Sequence, residues 1–361
     1  MIFLNFRNKL KILLLYFTPM KFLRFLLFPF AIIYDVVTTT RNLFFDVGIF
    51  KQTSFKIPVI VVGNLSVGGT GKTPQIEYLI RILNKQFKVA VLSRGYKRNT
   101  TGFVLLNDAH IALDVGDEPL QYFKKFKNID VAVDANRVEG IQKLINDKSP
   151  ELILLDDAYQ HRKVKGSFYI LLTKFDDLFT DDFLLPTGNL RESRGGAKRA
   201  NVIVVTKCPA DLNDQQKETI KGKLENYQKE VFFTTISYGA ILSSKNIISI
   251  DELKDYKILL VTGIANPNPL LGFLNDKKID FKHLKFTDHH NFSSTEIKNI
   301  QQEFDAITST KKIILTTEKD FVRLEKSIEN LFYIPIETSF LDNQQDGFDK
   351  LIMNHIQQNR C

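Results

Sequence analysis

The chain has few cysteines. Its 361 residues include only Cys208 and Cys361. Two isolated cysteines supply neither a disulfide framework nor a zinc cluster. We therefore expect a reducing compartment, with any catalytic domain on the cytoplasmic side of a membrane.

Long uncharged apolar runs are also missing. The stretch 10–37 is apolar, but it is interrupted by Lys11, Pro19, Lys21, Arg24 and Pro29. A transmembrane helix needs about twenty consecutive apolar residues, so none is predicted. A signal peptide fits poorly, because the apolar region is broken and no small-residue cleavage site follows it.

The positive charge is concentrated at the N-terminus. Of the formal net charge of +8, residues 1–60 contribute eight basic and two acidic side chains, or +6. This charge lies among phenylalanines and leucines, which favours an anionic membrane surface over nucleic acid as the partner. Residues 1–56 are therefore predicted to be a membrane-associated helical segment, with apolar faces formed by Leu10, Leu13, Leu14 and Phe17 and by Phe22, Leu26 and Phe30. An amphipathic helix packed on the protein's own core is the alternative.

From residue 57 onward, short β-branched runs alternate with amphipathic segments, which predicts an α/β fold with a mostly parallel sheet. The predicted strands are Val59–Val62, Val89–Leu92, Asp130–Val133, Leu152–Leu155, Tyr169–Leu172, Val202–Val205, Ile258–Val261, Asp280–Leu284, Lys312–Leu315 and Leu331–Ile334. The predicted division is a P-loop NTPase-like domain at 57–235, a hairpin or linker at 236–255 and a smaller α/β domain at 256–361. Helices are predicted at Gln75–Asn84 and Arg137–Asn146.

A phosphate-binding loop follows the first strand. Its residues are Ser66, Val67, Gly68, Gly69, Thr70, Gly71, Lys72 and Thr73, close to the pattern G-x-x-x-x-G-K-[ST] with serine for the first glycine. Small residues let backbone N–H groups wrap around phosphates, and the helix N-terminus adds partial positive charge. Lys72 is predicted to neutralise the β- and γ-phosphates of the nucleotide. The Thr73 hydroxyl is predicted to bind Mg²⁺.

A pair of carboxylates completes this pattern. Asp156 and Asp157 end the apolar run 152–155, and ligands of α/β sheets bind at the carboxyl ends of the strands. One of the two is predicted to hold Mg²⁺, directly or through water.

Taken together, the motifs resemble the tetraacyldisaccharide 4'-kinases of lipid A biosynthesis. The resemblance rests on GNLSVGGTGKTP (63–74), LSRGYKR (92–98), VGDEP (115–119), LDDAYQH (155–161), LPTGNLRE (185–192), VTGIANP (261–267), FTDHHNF (286–292) and TTEKD (316–320). The family's DDGFQH reads DDAYQH here, at 156–161.

This resemblance implies an ATP- and Mg²⁺-dependent kinase at the cytoplasmic face of the bacterial inner membrane, peripheral or monotopic. Its substrate would be an acylated glucosamine disaccharide 1-phosphate, phosphorylated on the 4'-hydroxyl. Asp117 matches the family's proposed catalytic aspartate, and His289 matches its partner. Since the two lie in different predicted domains, the domains are expected to meet over the substrate.

Several further residues have two interpretations. Glu118 is a second possible Mg²⁺ ligand, although Asp117 and Glu118 also fit a helix start. Arg94 is expected to bind an anion, either the γ-phosphate or the substrate's 1-phosphate. Arg191 and Glu192 either contact the substrate or form a structural ion pair.

His161 fits either packing or catalysis, and Thr206-Lys207 only weakly matches a base-reading loop. Two other functions remain open: a soluble P-loop GTPase or ATPase acting as a switch or metal-delivery factor, and a non-enzymatic membrane adaptor. No nucleic-acid partner is expected, and the sequence indicates no protein partner.

Overall fold

The computed structural model describes residues 24–243 and 246–359. In chain order its strands are β1 (Val59–Asn64), β2 (Val89–Ser93), β3 (Val104–Leu105), β4 (Asp130–Val133), β5 (Leu152–Asp156), β6 (Phe168–Lys174), β7 (Val202–Thr206), β8 (Glu230–Tyr238), β9 (Ile241–Leu242), β10 (Ile247–Ile248), β11 (Lys257–Thr262), β12 (Phe281–Lys285), β13 (Lys312–Thr317), β14 (Leu331–Ile334) and β15 (Ile336–Phe340).

The helices are α1 (Phe28–Asp46), α2 (Lys72–Leu83), α3 (Ala112–Val115), α4 (Asp117–Lys125), α5 (Arg137–Lys148), α6 (Asp214–Leu224), α7 (Asn268–Asp276), α8 (Ser294–Asp305), α9 (Glu318–Leu324) and α10 (Gln345–Gln358). Short 3-10 helices lie at Arg194–Arg199, Glu225–Tyr227 and Asp251–Asp255. The helix predicted at 75–84 begins earlier, at Lys72. Its first turn tolerates Pro74, because an N–H at that position would have no partner within the helix.

The larger sheet has nine strands in the order β15-β8-β7-β6-β1-β5-β2-β4-β3. Its seven inner strands run parallel, and the edge strands β3 and β15 are antiparallel. The inner strands are apolar almost throughout because helices cover both faces. β1 lies between β5 and β6, so the phosphate loop after β1 begins beside the carboxyl end of β5.

The smaller sheet has six strands in the order β10-β9-β14-β13-β11-β12. Four of them run parallel, and the β9–β10 hairpin extends the sheet on one side. The predicted α/β class, with a mostly parallel main sheet and a second smaller sheet, is confirmed. The division of the chain into domains at the predicted boundaries stays a prediction.

The end of the chain returns to the larger sheet. Strand β15 pairs with β8, and Phe348, Ile352 and Ile356 of α10 lie in the larger sheet's hydrophobic core. The predicted domain 256–361 had placed this segment with the smaller sheet. Edge pairing between distant strands leaves no local periodicity in the sequence, so the pattern did not predict this return.

Within the N-terminal segment, α1 exposes a continuous set of apolar side chains. They are Phe28, Phe30, Ile32, Ile33, Val36, Val37 and Leu43, each at least 39% exposed. The predicted face of Leu10, Leu13, Leu14 and Phe17, like Phe22, lies outside the described residues. None of the described helices is both long and apolar enough to span a membrane.

Candidate active site

The phosphate loop links β1 to α2, and side chains at the end of β7 donate hydrogen bonds to its backbone. Gly68 and Gly71 adopt positive φ angles of 99° and 84°, which favour glycine over residues with a Cβ. The Thr206 hydroxyl donates to the Thr70 carbonyl over 2.9 Å, and Lys207 Nζ donates to the Gly69 carbonyl over 2.7 Å. The loop therefore meets the N-terminus of α2 in a fixed shape, as an anion site requires.

Lys72 and Arg191 both approach Asp157. Lys72 Nζ lies 3.5 Å from Asp157 Oδ1 and donates to Asn64 Oδ1 over 3.3 Å. Arg191 Nη1 lies 3.1 and 3.2 Å from the two Asp157 oxygens. Burial would raise the pKa of Asp157, but the charges of Lys72 and Arg191 outweigh it and hold that pKa below its ordinary value. Of the two interpretations of Arg191, the contacts fit a structural ion pair, and Asp157 is the partner in it.

Asp156 ends β5 and accepts hydrogen bonds from the hydroxyls of Ser93 and Tyr122. Burial, followed by the charges of Asp157 and Glu118, raises the pKa of Asp156 to about 7. Tyr122 Oη donates to Asp156 Oδ2 over 3.4 Å, and Thr73 is hydrogen-bonded to Tyr122. These residues fit Mg²⁺, which prefers oxygen ligands and would offset the excess negative charge.

Over residues 24–243 and 246–359, no group of three or more His, Cys, Asp or Glu side chains is already gathered as a metal site. A magnesium ion that arrives with a nucleotide takes several ligands from phosphates and water, so it needs few from the protein. Thr73, Asp156, Asp157 and Glu118 stay the predicted ligands.

Asp117 begins α4 and meets the loop that follows β12. His289 Nδ1 lies 2.7 Å from Asp117 Oδ2, and Lys319 Nζ lies 3.0 Å from His289 Nε2. Since the ammonium only donates, Nε2 accepts and Nδ1 carries the proton donated to Asp117. The structure thus brings Asp117 and His289 together.

A further residue, Arg323 on α9, was not predicted from the sequence. Its Nε donates to Asp117 Oδ1 over 2.6 Å and its Nη2 to Asp117 Oδ2 over 2.9 Å. Burial would raise the pKa of Asp117, but the hydrogen bonds from His289 and Arg323 outweigh it and lower that pKa. The TTEKD motif ended at Asp320, although Arg323 follows Lys319 by four residues and so shares its helix face.

Arg94 and His161 lie near the paired aspartates. Arg94 directly follows β2, and its side chain is exposed to solvent. Its anion-binding role stays a prediction. Burial, followed by the charges of Arg137, Lys163 and Arg94, lowers the pKa of His161 to about 4. His161 is therefore neutral near pH 7, and its Nε2 is buried with no hydrogen-bond partner among the described residues.

Glu192 is completely buried. Its carboxylate accepts hydrogen bonds from Asn42 Nδ2 over 2.8 Å, from Gln160 Nε2 over 2.9 Å, and from Arg199 Nη2 over 2.9 and 3.0 Å. These contacts fit the alternative of a structural ion pair. They also tie α1 to the loop that carries Arg191.

A model of the tetraacyldisaccharide-1-P 4'-kinase family, LpxK, matches residues 23–357. The chain belongs to this family. It is 52% identical over 345 residues to the tetraacyldisaccharide 4'-kinase of Flavobacterium psychrophilum, covering 94% of this chain and 98% of that one. It is 43% identical over 354 residues to the corresponding enzyme of Bacteroides thetaiotaomicron, covering 92% and 93%.

Among solved structures, LpxK from Aquifex aeolicus in complex with ATP superposes with a TM-score of 0.75. The two chains are 30% identical, and the match covers 92% of this chain and 99% of that one. Family membership confirms the predicted tetraacyldisaccharide 4'-kinase activity in lipid A biosynthesis. Membership of this family therefore rules out the alternative functions, which were a switch, a metal-delivery factor and a non-enzymatic adaptor.

Proposed function

We propose that the chain transfers the γ-phosphate of ATP to the 4'-hydroxyl of a tetraacyldisaccharide 1-phosphate, with Asp117 as proton acceptor and His289 as its partner. The observation that carries this proposal is the 2.7 Å contact between His289 Nδ1 and Asp117 Oδ2. The next residue, Glu118, interacts electrostatically with Asp156. The A. aeolicus relative was solved with ATP, which supports the same nucleotide here.

Each residue of the loop has a role in holding the nucleotide. Backbone N–H groups of residues 66–73 surround the β- and γ-phosphates, and Lys72 leaves Asp157 to neutralise them. Thr73, Asp156, Asp157 and Glu118 are the residues that would hold Mg²⁺. When bound, the ion neutralises charge on the transferring phosphoryl group.

The reaction makes one bond and breaks another. The 4'-oxygen bonds to the γ-phosphorus, the bond from that phosphorus to the oxygen of ADP breaks, and the hydroxyl proton passes to Asp117. Asp117 Oδ1 accepts from Arg323 alone among the described residues, so it keeps a lone pair for that proton. Because the Asp117 side chain is 0% exposed, residues that cover it must shift before the hydroxyl arrives.

The same proposal locates the enzyme at the cytoplasmic face of the inner membrane, as a peripheral or monotopic protein. The acyl chains of the substrate stay in the bilayer, so the active site must work at its surface. Exposed apolar side chains of α1 support this location. Tyr34 Oη on α1 donates to the Arg191 carbonyl over 2.8 Å, so the helix is tied directly to the site.

The test measures phosphorylation of a monophosphorylated tetraacyldisaccharide in detergent micelles, with radiolabelled ATP and Mg²⁺. Asp117→Asn and Lys72→Ala should each lower kcat by about 10²-fold or more, because each removes a group that acts in the transition state. Membrane binding should be unchanged in both.

Asp276→Asn is the matched control, since Asp276 is an exposed aspartate on α7, away from the site. Its kcat should stay at the unmodified value. Full activity of Asp117→Asn would refute the assignment of the proton acceptor. Full activity of Lys72→Ala would refute that of the phosphate loop.

A further inference from the structure

The side chain of Arg323 joins the two halves of the site. It lies on α9, is 11% exposed, and contacts both Asp117 on α4 and the loop that carries His289. We propose that Arg323 is a positioning residue, which fixes the Asp117 carboxylate and the His289 loop in one relative geometry. This inference rests on the proposed role of Asp117 as proton acceptor.

The first support is the shape of the contact with Asp117. Nε and Nη2 of Arg323 each donate to a different carboxylate oxygen, over 2.6 and 2.9 Å. Two parallel bonds between planar groups fix the plane of the carboxylate as well as its distance. The remaining acceptor position of Asp117 Oδ1 therefore points in a single direction.

The second support is that the same guanidinium holds the backbone of the partner loop. Nη1 of Arg323 donates to the carbonyls of His289 and His290 over 3.0 and 2.8 Å. His289 has a φ of 58°, a left-handed conformation that residues with a Cβ adopt only when their surroundings impose it. One side chain thus orients Asp117 and also stabilises the turn that presents the His289 ring.

The third support is that α9 is itself firmly held. Glu318 at its start lies 2.8 Å from Lys125 Nζ on α4, and Asp320 Oδ2 accepts from the Gly263 N–H over 2.8 Å. A positioning side chain needs a fixed base, because an error of about 1 Å at the reacting groups costs about 10²-fold in rate.

The packing of α4 against α9 does not depend on Arg323 alone. Lys124 on α4 and Glu325, the residue that follows α9, form another ion pair across the same contact, and Lys125–Glu318 is a third. Arg323 is the member of this set that contacts the Asp117–His289 pair. The geometry therefore separates orientation of the reacting groups from cohesion of the helices.

The experiment compares Arg323→Ala, Arg323→Lys and the matched control Lys124→Ala in the lipid kinase assay. We expect Arg323→Ala to lower kcat by about 10²-fold, with the KM for ATP within about twofold of the unmodified enzyme. Arg323→Lys should recover part of the loss, because it keeps the charge but lacks the planar fork. Lys124→Ala should keep kcat within about twofold.

The double variant Asp117→Asn/Arg323→Ala tests whether Arg323 acts through Asp117. Its kcat should be no lower than that of Asp117→Asn alone, because a residue that acts through another adds nothing once that other is gone. Multiplicative losses would overturn the proposal. So would an unchanged or increased kcat in Arg323→Ala, or an equal loss in Lys124→Ala.

Two further outcomes are interpreted differently from those above. If Asp117→Asn is fully active, the proposed proton acceptor is wrong, whatever Arg323 does. If Arg323→Ala does not fold, Arg323→Lys decides: a kcat reduced about tenfold with unchanged KM for ATP supports the proposal, and an unreduced kcat overturns it.

Discussion

His289 Nδ1 lies 2.7 Å from Asp117 Oδ2, although 172 residues separate the two in the chain. The contact joins the loop after β12 of the smaller sheet to the first residue of α4, which packs on the larger sheet. The proposed proton acceptor and its partner thus lie on elements that pack with different sheets. Any change that separates the sheets removes the contact, while the phosphate loop stays intact.

Replacing His289 tests what its hydrogen bond contributes. His289→Ala should lower kcat by about 10²-fold, because Asp117 loses a donor and the turn loses its side chain. His289→Asn should lose less, since its amide N–H₂ donates to Asp117 and asparagine tolerates a positive φ. Steady-state kcat in the lipid assay measures both, with His110→Asn, at a half-buried position, as control. Equal losses in the alanine and asparagine variants would contradict this reading.

The phosphate-binding residues could be predicted because they are contiguous. Residues 66–73 form one loop between a strand and a helix, and Asp156 and Asp157 end a neighbouring strand. Strand periodicity placed both at the same sheet edge. Local sequence carried enough information to predict this part of the site.

Other parts of the molecule depend on contacts between distant segments. The bond from Arg323 to Asp117 spans 206 residues, and β15 pairs with β8 across about a hundred. Neither leaves a periodic signal in the sequence, because each joins segments that are far apart in the chain. The pairing of Asp117 with His289 was expected only through resemblance to the family.

Stability should depend on pH through Glu318. Burial, followed by the charge of Glu77, raises the pKa of Glu318 from its ordinary 4.5 to about 7, although Lys125 lies 2.8 Å away. A raised carboxyl pKa means that the folded chain favours the protonated form. Its stabilising contribution is therefore complete below pH 4.5 and is lost as the pH rises to about 7.

Glu318→Gln stays neutral and escapes this loss. Its free energy of unfolding, relative to the unmodified chain, should therefore increase between pH 4.5 and 7.5, as measured by urea denaturation at several pH values. Glu329→Gln, at an exposed position in the turn after α9, should follow the unmodified chain. A pH-independent difference for Glu318→Gln would contradict the raised pKa.

Glu192 should be important for stability because its carboxylate is buried among three donors. Glu192→Ala leaves Arg199, which pairs with it over 2.9 Å and is only 16% exposed, without its carboxylate. We expect the free energy of unfolding to fall by about 3–5 kcal/mol. Asp177→Ala removes a partly exposed partner of Lys174 and should cost about 0–1 kcal/mol. Urea denaturation compares them, and equal small losses would show that the buried network contributes little.

Membrane binding should depend on the exposed face of α1. Ile33 and Val37 lie one helical turn apart and are 62% and 61% exposed. Ile33→Asp/Val37→Asp should lower partitioning onto anionic phospholipid vesicles at least about tenfold, because burying each aliphatic side chain contributes about 1.5–3 kcal/mol. ATP binding should be unchanged, since the phosphate loop is untouched.

The control variant Gln215→Asp/Thr219→Asp adds the same charges at the same spacing on the polar helix α6 and should bind vesicles normally. If both double variants bound vesicles as well as the unmodified chain, α1 would not be the membrane-contacting face.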